Sequence, residues 1–482
     1  MIIVAIITIL ILLSITAWRS DKYFVHGPKF IALFAIVFSL FLFVMYLLQA
    51  NLDYTSLSIV FEHVWIRAFN IKIQFGLDNL SILMVILTLF LASIAIVISW
   101  REIIHRQGFY YFNLLCATAG IIGVFTATDL FLFFVFWEVM LLPITALIAI
   151  WGHEHRFFAA IKFFIFTQIS SLCMLVAIIS MALVHQAHTG TLSFLYSDWL
   201  IIDLSANTTY FMMLGFFIAF AVKLPSVPFH SWLPDAHTQA PTGGSVLLAG
   251  ILLKTGAYGL IRFVIELFPS ESIQFAPYAI TLGVISILYG AKMAFAQSDC
   301  KRLIAFSSVS HMGFVMMALF AFTANAFNGA IMTMVAHGLS SAALFSVAGI
   351  IYHRIHTREL TKMGNLGVNA PWMAAMSLIF VAAAFGLPGL ANFIGEFYSL
   401  VGVFALYPVH AIVASIGMVG SAVYGMKLFQ NMFHGTTSNQ TSIQIKDLSL
   451  SEGIICVVLV MLLVILGIYP QVLFQYHFQG GI

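Results

Sequence analysis

Residues 219–262 read AFAVKLPSVPFHSWLPDAHTQAPTGGSVLLAGILLKTGAYGLIR. The stretch breaks a membrane helix and buries two lysines inside an otherwise oily chain. Lys223 follows the apolar run 210–222 and directly precedes Leu224-Pro225, with further prolines at 228 and 234. Each proline lacks an amide donor and clashes with the preceding helical turn. In lipid, such a break survives only where neighbouring helices, side chains or water re-satisfy the freed carbonyls. A helix that simply ends in a loop accounts for Pro234 but poorly for Pro225. Lys254 lies about eleven residues into the next apolar run, 243–261, near mid-bilayer at 1.5 Å per residue. A charge at that depth costs roughly 2.5 to 3.5 kcal/mol on the insertion scale, so both lysines call for a reason.

The composition agrees with a chain made for lipid. Of 482 residues, 62% are hydrophobic and 8% charged, and the mean hydropathy is +1.05; soluble domains carry about 25% charged residues. A net charge of +2 is too small to imply nucleic acid. The four cysteines, at 116, 173, 300 and 456, lie far apart with no CxxC, so they give no iron-sulfur, zinc or disulfide framework. The first 17 residues are apolar, and Arg19 and Lys22 follow rather than precede them. That order reads as a retained helix, not a signal peptide.

Taking about 20 apolar residues as a span, the chain is expected to be an all-α polytopic membrane protein with about fourteen transmembrane helices. Thirteen basic residues fall in loops after odd-numbered spans and three, Arg67, Lys72 and Arg262, after even-numbered ones. The positive-inside rule then turns both termini away from the cytoplasm. A second break, AAAFGLPGLANFIGEFYSLVG at 382–402, repeats the pattern of Leu-Pro beside a buried charge, here Glu396. The breaks fall in the seventh and twelfth spans. Five spans is an odd offset, so the copies run in opposite directions, as in an inverted-topology repeat. The expected units are helices 1–3 (1–105), a first five-helix repeat (106–270), its inverted copy (271–436) and a last helix (437–482).

Three further polar residues, Glu138, His311 and His337, sit within apolar spans. Glu138 lies in TDLFLFFVFWEVMLLP among aromatic residues; it reads either as a structural carboxylate or as a proton-carrying acid paired with Lys223. Neither Lys254 nor Glu396 has an acid-base partner within one helical turn, so any partner is on another span. His311 and His337 occupy consecutive spans. They read as hydrogen-bonded core histidines, as a proton relay or as haem ligands, the last disfavoured because the paired spacing of a cytochrome b is missing. His230, Asp235 and His237 are explained by capping and loop bonding at least as well as by chemistry. Lys292 and Lys427 lie near span ends, where the charged head can reach the interface. No phosphate loop, nucleotide motif or metal motif is present.

The segments FGLDNLSILMVILT, TDLFLFFVFWEVMLLP, VKLPSVPFHSWLPDAHTQAPTGGSVLLAGILLKTGAYGLIRF, SDCKRLIAFSSVSHMG and FGLPGLANFIGEF resemble, in order and spacing, the antiporter-like membrane subunits of respiratory NADH:quinone oxidoreductase, complex I. Glu396 in the broken twelfth span and the end after the fourteenth make the chain similar to the M-type branch, the counterpart of mitochondrial subunit 4. The resemblance implies a proton channel without its own redox centre, in a bacterial inner membrane, beside L-type and N-type neighbours. It places NADH, FMN, iron-sulfur clusters and quinone in other subunits. It casts Glu138 and Lys223 as the coupling pair, Lys254 as the central relay lysine, His311 and His337 as lining the polar axis, and Glu396 as the exit-side acid. A subunit of a multi-subunit cation/proton antiporter, built on the same fold, is the alternative.

Overall fold

The computed structural model describes residues 1–24, 26–50, 54–201, 206–434 and 445–474, without the side chains of residues 206 and 207. The repeat boundary expected at 436/437 lies outside these residues. Twelve described helices are long and apolar enough to cross a membrane, from Ile2–Ser20 to Leu450–Ile468. Shorter apolar helices lie at Thr208–Lys223, Pro371–Ala384 and Ala391–Phe404. Fourteen spans result only if the first of these crosses and the other two count together as one broken span.

The all-α expectation needs one amendment. Ser58–Ile66 and Ile71–Leu77 pair as an antiparallel hairpin, closed by a short turn in which Asn70 takes a left-handed conformation (φ 52). The run SIVFEHVWI is rich in β-branched and aromatic residues, which suit a pleated, half-exposed strand better than a helix.

Helices differ in what surrounds them. Ile2–Ser20, Gly27–Gln49, Pro408–Phe433 and Leu450–Ile468 bury only about a third of their residues, whereas Thr242–Ile265, Cys300–Leu319 and Ala324–Ile355 are buried almost entirely. These three central helices carry Lys254, His311 and His337. Ordinary apolar packing thus encloses the polar residues, with the lipid-facing helices outside.

Both breaks appear where Leu-Pro predicts them, and both are stitched the same way. After Lys223, the Leu224 amide still reaches Phe220 O (2.8 Å) and the Ser226 amide reaches Ala221 O (2.9 Å). After Ala384, Phe385 reaches Val381 O (3.0 Å) and Leu387 reaches Ala382 O (3.0 Å). The next freed carbonyl of the first break, Val222 O, accepts from the Trp232 indole (3.0 Å); Phe385 O of the second accepts from Ser421 Oγ (3.3 Å). Gly386 and Gly389 hold positive φ (76 and 94), which side chains rarely adopt. Pro234 does not break anything: it sits in the first turn of the short Trp232–Gln239 helix, where its missing amide costs nothing.

Two aspartates also play like parts in different regions of the chain. Asp129 caps Leu130–Trp151 through Phe131 and Leu132 amides, and Asp299 caps Cys300–Leu319 through the Arg302 amide. Each also forms an isolated antiparallel bridge to a segment further on, Asp129 with Leu195 and Asp299 with Glu359. Burial pushes the Asp129 carboxyl up to about 6, against the pull of the amides that bond it.

Candidate functional site

Lys254 owes its position to an irregular helix. Leu248–Leu252 and Leu260–Ile265 are wide, π-type turns on either side of it. In the first, the Leu253 amide reaches back five residues to Leu248 O. Such turns release backbone groups from the regular ladder and occur often at functional sites. Here Lys254 Nζ donates to Ala249 O (2.5 Å) one turn back. The same nitrogen lies 2.8 Å from His337 Nδ1 on the facing helix. That approach depends on small residues: a Cβ on Gly338 would come within 2.9 Å of Gly250 O.

From His337 the line continues. The His337 and His311 rings stand 5.6 Å apart, centre to centre, tilted by 52°. His311 Nδ1 lies 2.6 Å from Glu396 Oε1, and Tyr424 Oη lies 3.3 Å from His311 Nε2. Lys254 and Glu396 are 0% exposed, His337 1% and His311 3%, so solvent does not screen these contacts. Each link can hold one proton on either partner. Lys254 as a cation donates to His337, and as a neutral amine it accepts from it; His311 and Glu396 can share a proton likewise. His337 Nε2 and Glu396 Oε2 are buried without a hydrogen-bond partner. His311 Nε2, the nitrogen that would have to face a haem iron, is instead within hydrogen-bond distance of Tyr424 Oη.

Tyr424 adds a residue that sequence reasoning did not single out. When its hydroxyl donates to Nε2, neutral His311 carries its proton on Nδ1, toward Glu396. Tyr424→Phe is expected to lower proton pumping roughly twofold to fivefold, on the scale of one neutral hydrogen bond, with assembly unchanged. Pumping assays on reconstituted complex check this, and an undiminished rate removes Tyr424 from the relay.

Glu138 and Lys223 stand apart from this line. Lys223 Nζ is buried with no hydrogen bond; it sits over the Trp137 ring at 5.4 Å and the Phe163 ring at 5.2 Å. Glu138 Oε1 is also buried and unpartnered. No ion pair joins the two among the described residues, although Glu138 is within electrostatic reach of the lysine. The expected pair is therefore open in this conformation, with the cation held by aromatic faces instead.

His237, read above as a loop residue, is 0% exposed and has both ring nitrogens unpartnered. Its ring stacks flat on Phe345 at 4.7 Å. The charges of Lys301 and Lys254 both reach it. Only the tertiary packing reveals this, since its sequence neighbourhood is polar. Asp235 behaves as expected of a structural residue, bridging Lys162 (2.7 Å) and Arg302 (2.9 Å). Among the described residues, no group of three His, Cys, Asp or Glu side chains could hold a metal ion.

Residues 127–423 match the family model described as NADH:quinone oxidoreductase/Mrp antiporter, transmembrane. The chain belongs to that family. Among members of the NADH:quinone oxidoreductase/Mrp antiporter family, NADH-quinone oxidoreductase subunit M of Escherichia coli K12 is 48% identical over 466 residues, covering 94% of this chain and 92% of that one. The protein of the same name from Pseudomonas aeruginosa is 50% identical over 420 residues, covering 85% and 82%. A chain of respiratory complex I from Thermus thermophilus superposes with a TM-score of 0.88 at 28% identity, covering 99% of this chain and 98% of that one. The family segment contains all six residues singled out from the sequence, from Glu138 to Glu396.

Proposed function

We propose that the chain is a proton-translocating membrane-arm subunit of a respiratory NADH:quinone oxidoreductase. The observation that carries this reading is the buried line Lys254, His337, His311, Glu396, in which acid-base groups from four helices lie at hydrogen-bond or single-step distances. The relatives named subunit M support the same assignment. Electron transfer from NADH through FMN and iron-sulfur clusters to quinone belongs to other subunits, and L-type and N-type antiporter-like chains are the natural neighbours. The membrane is the bacterial inner membrane, with both termini on the periplasmic side. The repeat units are spans four to eight and nine to thirteen, with the matching breaks and aspartate caps as their corresponding points.

In this reading Lys223 toggles between its aromatic seat and Glu138 as the neighbouring subunit's charge changes. Moving that cation alters the field at Lys254 and shifts its proton toward His337. One water molecule closes the step to His311, and Glu396 receives the proton before release. The coupling residues lie on the path of the field, not of the proton. Replacing Glu138 with Gln or Lys223 with Met is therefore expected to cut NADH-driven pumping by about tenfold or more, with subunit assembly retained. Normal pumping by either assembled variant would sink the coupling role.

The assignment itself is tested by purifying the tagged chain from its native membrane in mild detergent. Co-purification of flavin and iron-sulfur subunits with inhibitor-sensitive NADH:quinone reduction supports it. Recovery of only small membrane subunits, with sodium-dependent proton exchange and no NADH oxidation, would establish the cation/proton antiporter instead.

A further inference from the structure

A cleft of about 390 Å³ opens between the ends of helices Gly27–Gln49, Asn79–Glu102, Ala324–Ile355 and Leu450–Ile468. The helix ends that meet there carry Arg101 and Arg354, so the positive-inside rule turns its mouth to the cytoplasm. The first and last of these helices bury only about a third of their residues and face lipid. The lining changes character with depth. Arg101, Glu102, His353 and Glu452 line the cleft within the terminal turns of the helices. Trp100 joins them there, a residue type concentrated at the membrane–water boundary. Leu33, Ile98, Ile350 and Ile455 line it four to six residues further in, one from each helix. That is about 6 to 9 Å along the axes at 1.5 Å per residue. A polar mouth above an apolar floor, at the headgroup level of lipid-facing helices, matches the profile of a phospholipid.

The charges at the mouth select the headgroup. Arg101 and His353 are exposed, and neither makes an ion pair among the described residues. A guanidinium binds phosphate through two parallel N–H groups, and an imidazole adds one more donor. Two carboxylates face these donors. Glu102 is half-buried, and both of its oxygens accept from the Thr242 amide at 3.1 Å. Each carboxylate oxygen has room for a second bond. Glu452 Oε2 is taken by Arg354 and the Ser449 amide, both at 2.7 Å, while its Oε1 accepts no bond among the described residues. An anionic headgroup without an amine would leave its negative charge beside two carboxylates. A choline headgroup is cationic but has no N–H to give. A primary ammonium has three.

We infer that this cleft seats a phospholipid with a phosphoethanolamine headgroup, its phosphate on Arg101 and His353 and its ammonium on Glu102 and Glu452. The volume of about 390 Å³ lies within the roughly 300 to 1,000 Å³ usual for small-ligand clefts. It takes the headgroup and the carbons next to it. The acyl chains continue outside, along exposed apolar side chains such as Phe34 and Ile454, which adjoin Leu33 and Ile455. The ammonium shares Glu102 with the amide of Thr242, the first residue of the helix that carries Lys254. A bound lipid therefore braces the cytoplasmic end of that helix. This inference goes beyond the proton-translocating reading and does not depend on it.

The test uses the chain in its native assembly, reconstituted into phosphatidylcholine liposomes with a small fraction of photoactivatable phosphatidylethanolamine. A parallel sample carries phosphatidylglycerol with the same photoactivatable chain. Irradiation, digestion and mass spectrometry then give the labelled residues, with Pro408–Phe433, another lipid-facing helix, as the internal reference. The ethanolamine probe is expected to label the cleft segments several-fold more than the glycerol probe, with equal labelling of the reference helix. Arg101→Gln should lower cleft labelling by roughly tenfold at subsaturating probe, the scale of a lost charge-assisted hydrogen bond. Ile98→Trp, which fills the floor, should do the same. Equal labelling by both probes would mean ordinary boundary lipid, and a preference for phosphatidylglycerol would mean an anionic-lipid site; either overturns the inference. Labelling of the reference helix alone would show the cleft covered by a neighbouring chain, which overturns it as well. Should Ile98→Trp not assemble, Arg101→Gln and the two probes on the unmodified chain decide. The readout needs neither NADH oxidation nor pumping, so a failure here is separate from any failure of the proton-translocating reading.

Discussion

Lys254→Ala is expected to reduce NADH-driven proton pumping at least tenfold in assembled complex, because it removes the one group that joins the entry half to the histidines. Stability should change much less than activity. The alanine leaves Ala249 O and His337 Nδ1 unsatisfied, at about 1 to 3 kcal/mol each. It also removes an ammonium that is 0% exposed, whose desolvation costs several kcal/mol. The two terms oppose each other. Lys254→Arg separates charge from proton transfer: it keeps a cation beside His337 but one that does not deprotonate in proteins. Both variants should therefore fail to pump. Arginine restoring the rate would show that Lys254 serves as a fixed charge, and the relay would have to bypass it.

What the sequence revealed here depended on whether a cost was local. Pro225 and Pro388 each offend their own helix, and a lysine or glutamate in an apolar run offends its own segment. Lys223, Lys254, Glu138 and Glu396 were therefore visible one residue at a time. Their partners were not. Lys254 meets His337 and Glu396 meets His311 across helices separated by more than 80 residues, and no periodicity encodes that. The π-type turns around Lys254 were equally hidden, since LAGIL and LIRFVI suit an ordinary helix. The hairpin at 58–77 shows a different failure. Its alternation is real, but a search for long apolar runs passes over it. The pairing of Glu138 with Lys223 is expected from charge and from the family resemblance; the Trp137 and Phe163 rings that hold the lysine are found only by packing. His237 lies in a polar segment where loop bonding is the expected role, and only packing shows it stacked on Phe345 with both ring nitrogens unpartnered.

Gly395→Ala is expected to have the second large effect, although it touches no titratable atom. Ala391–Phe404 and Ala324–Ile355 cross so closely that a Cβ at Gly395 would lie 2.5 Å from Thr333 Oγ1, 2.7 Å from Thr333 N and 2.9 Å from Thr333 Cα. A side chain can rotate aside, but a backbone amide cannot, so the helices must separate. Overpacking of this kind costs about 1 to 3 kcal/mol. Gly395 adjoins Glu396, and the shift acts directly on the 2.6 Å contact with His311. A few tenths of an ångström would weaken a short charge-assisted bond substantially. Pumping should fall about tenfold, with a lower melting temperature for the complex. Gly453→Ala provides the control, because a Cβ there meets nothing within 4 Å and the helix gains about 0.5 to 1 kcal/mol in propensity. If both substitutions leave pumping intact, the His311–Glu396 distance does not limit transfer. If Gly395→Ala alone impairs it while Glu396 is chemically unchanged, then the close crossing of the two helices sets the rate at which the proton reaches the acid.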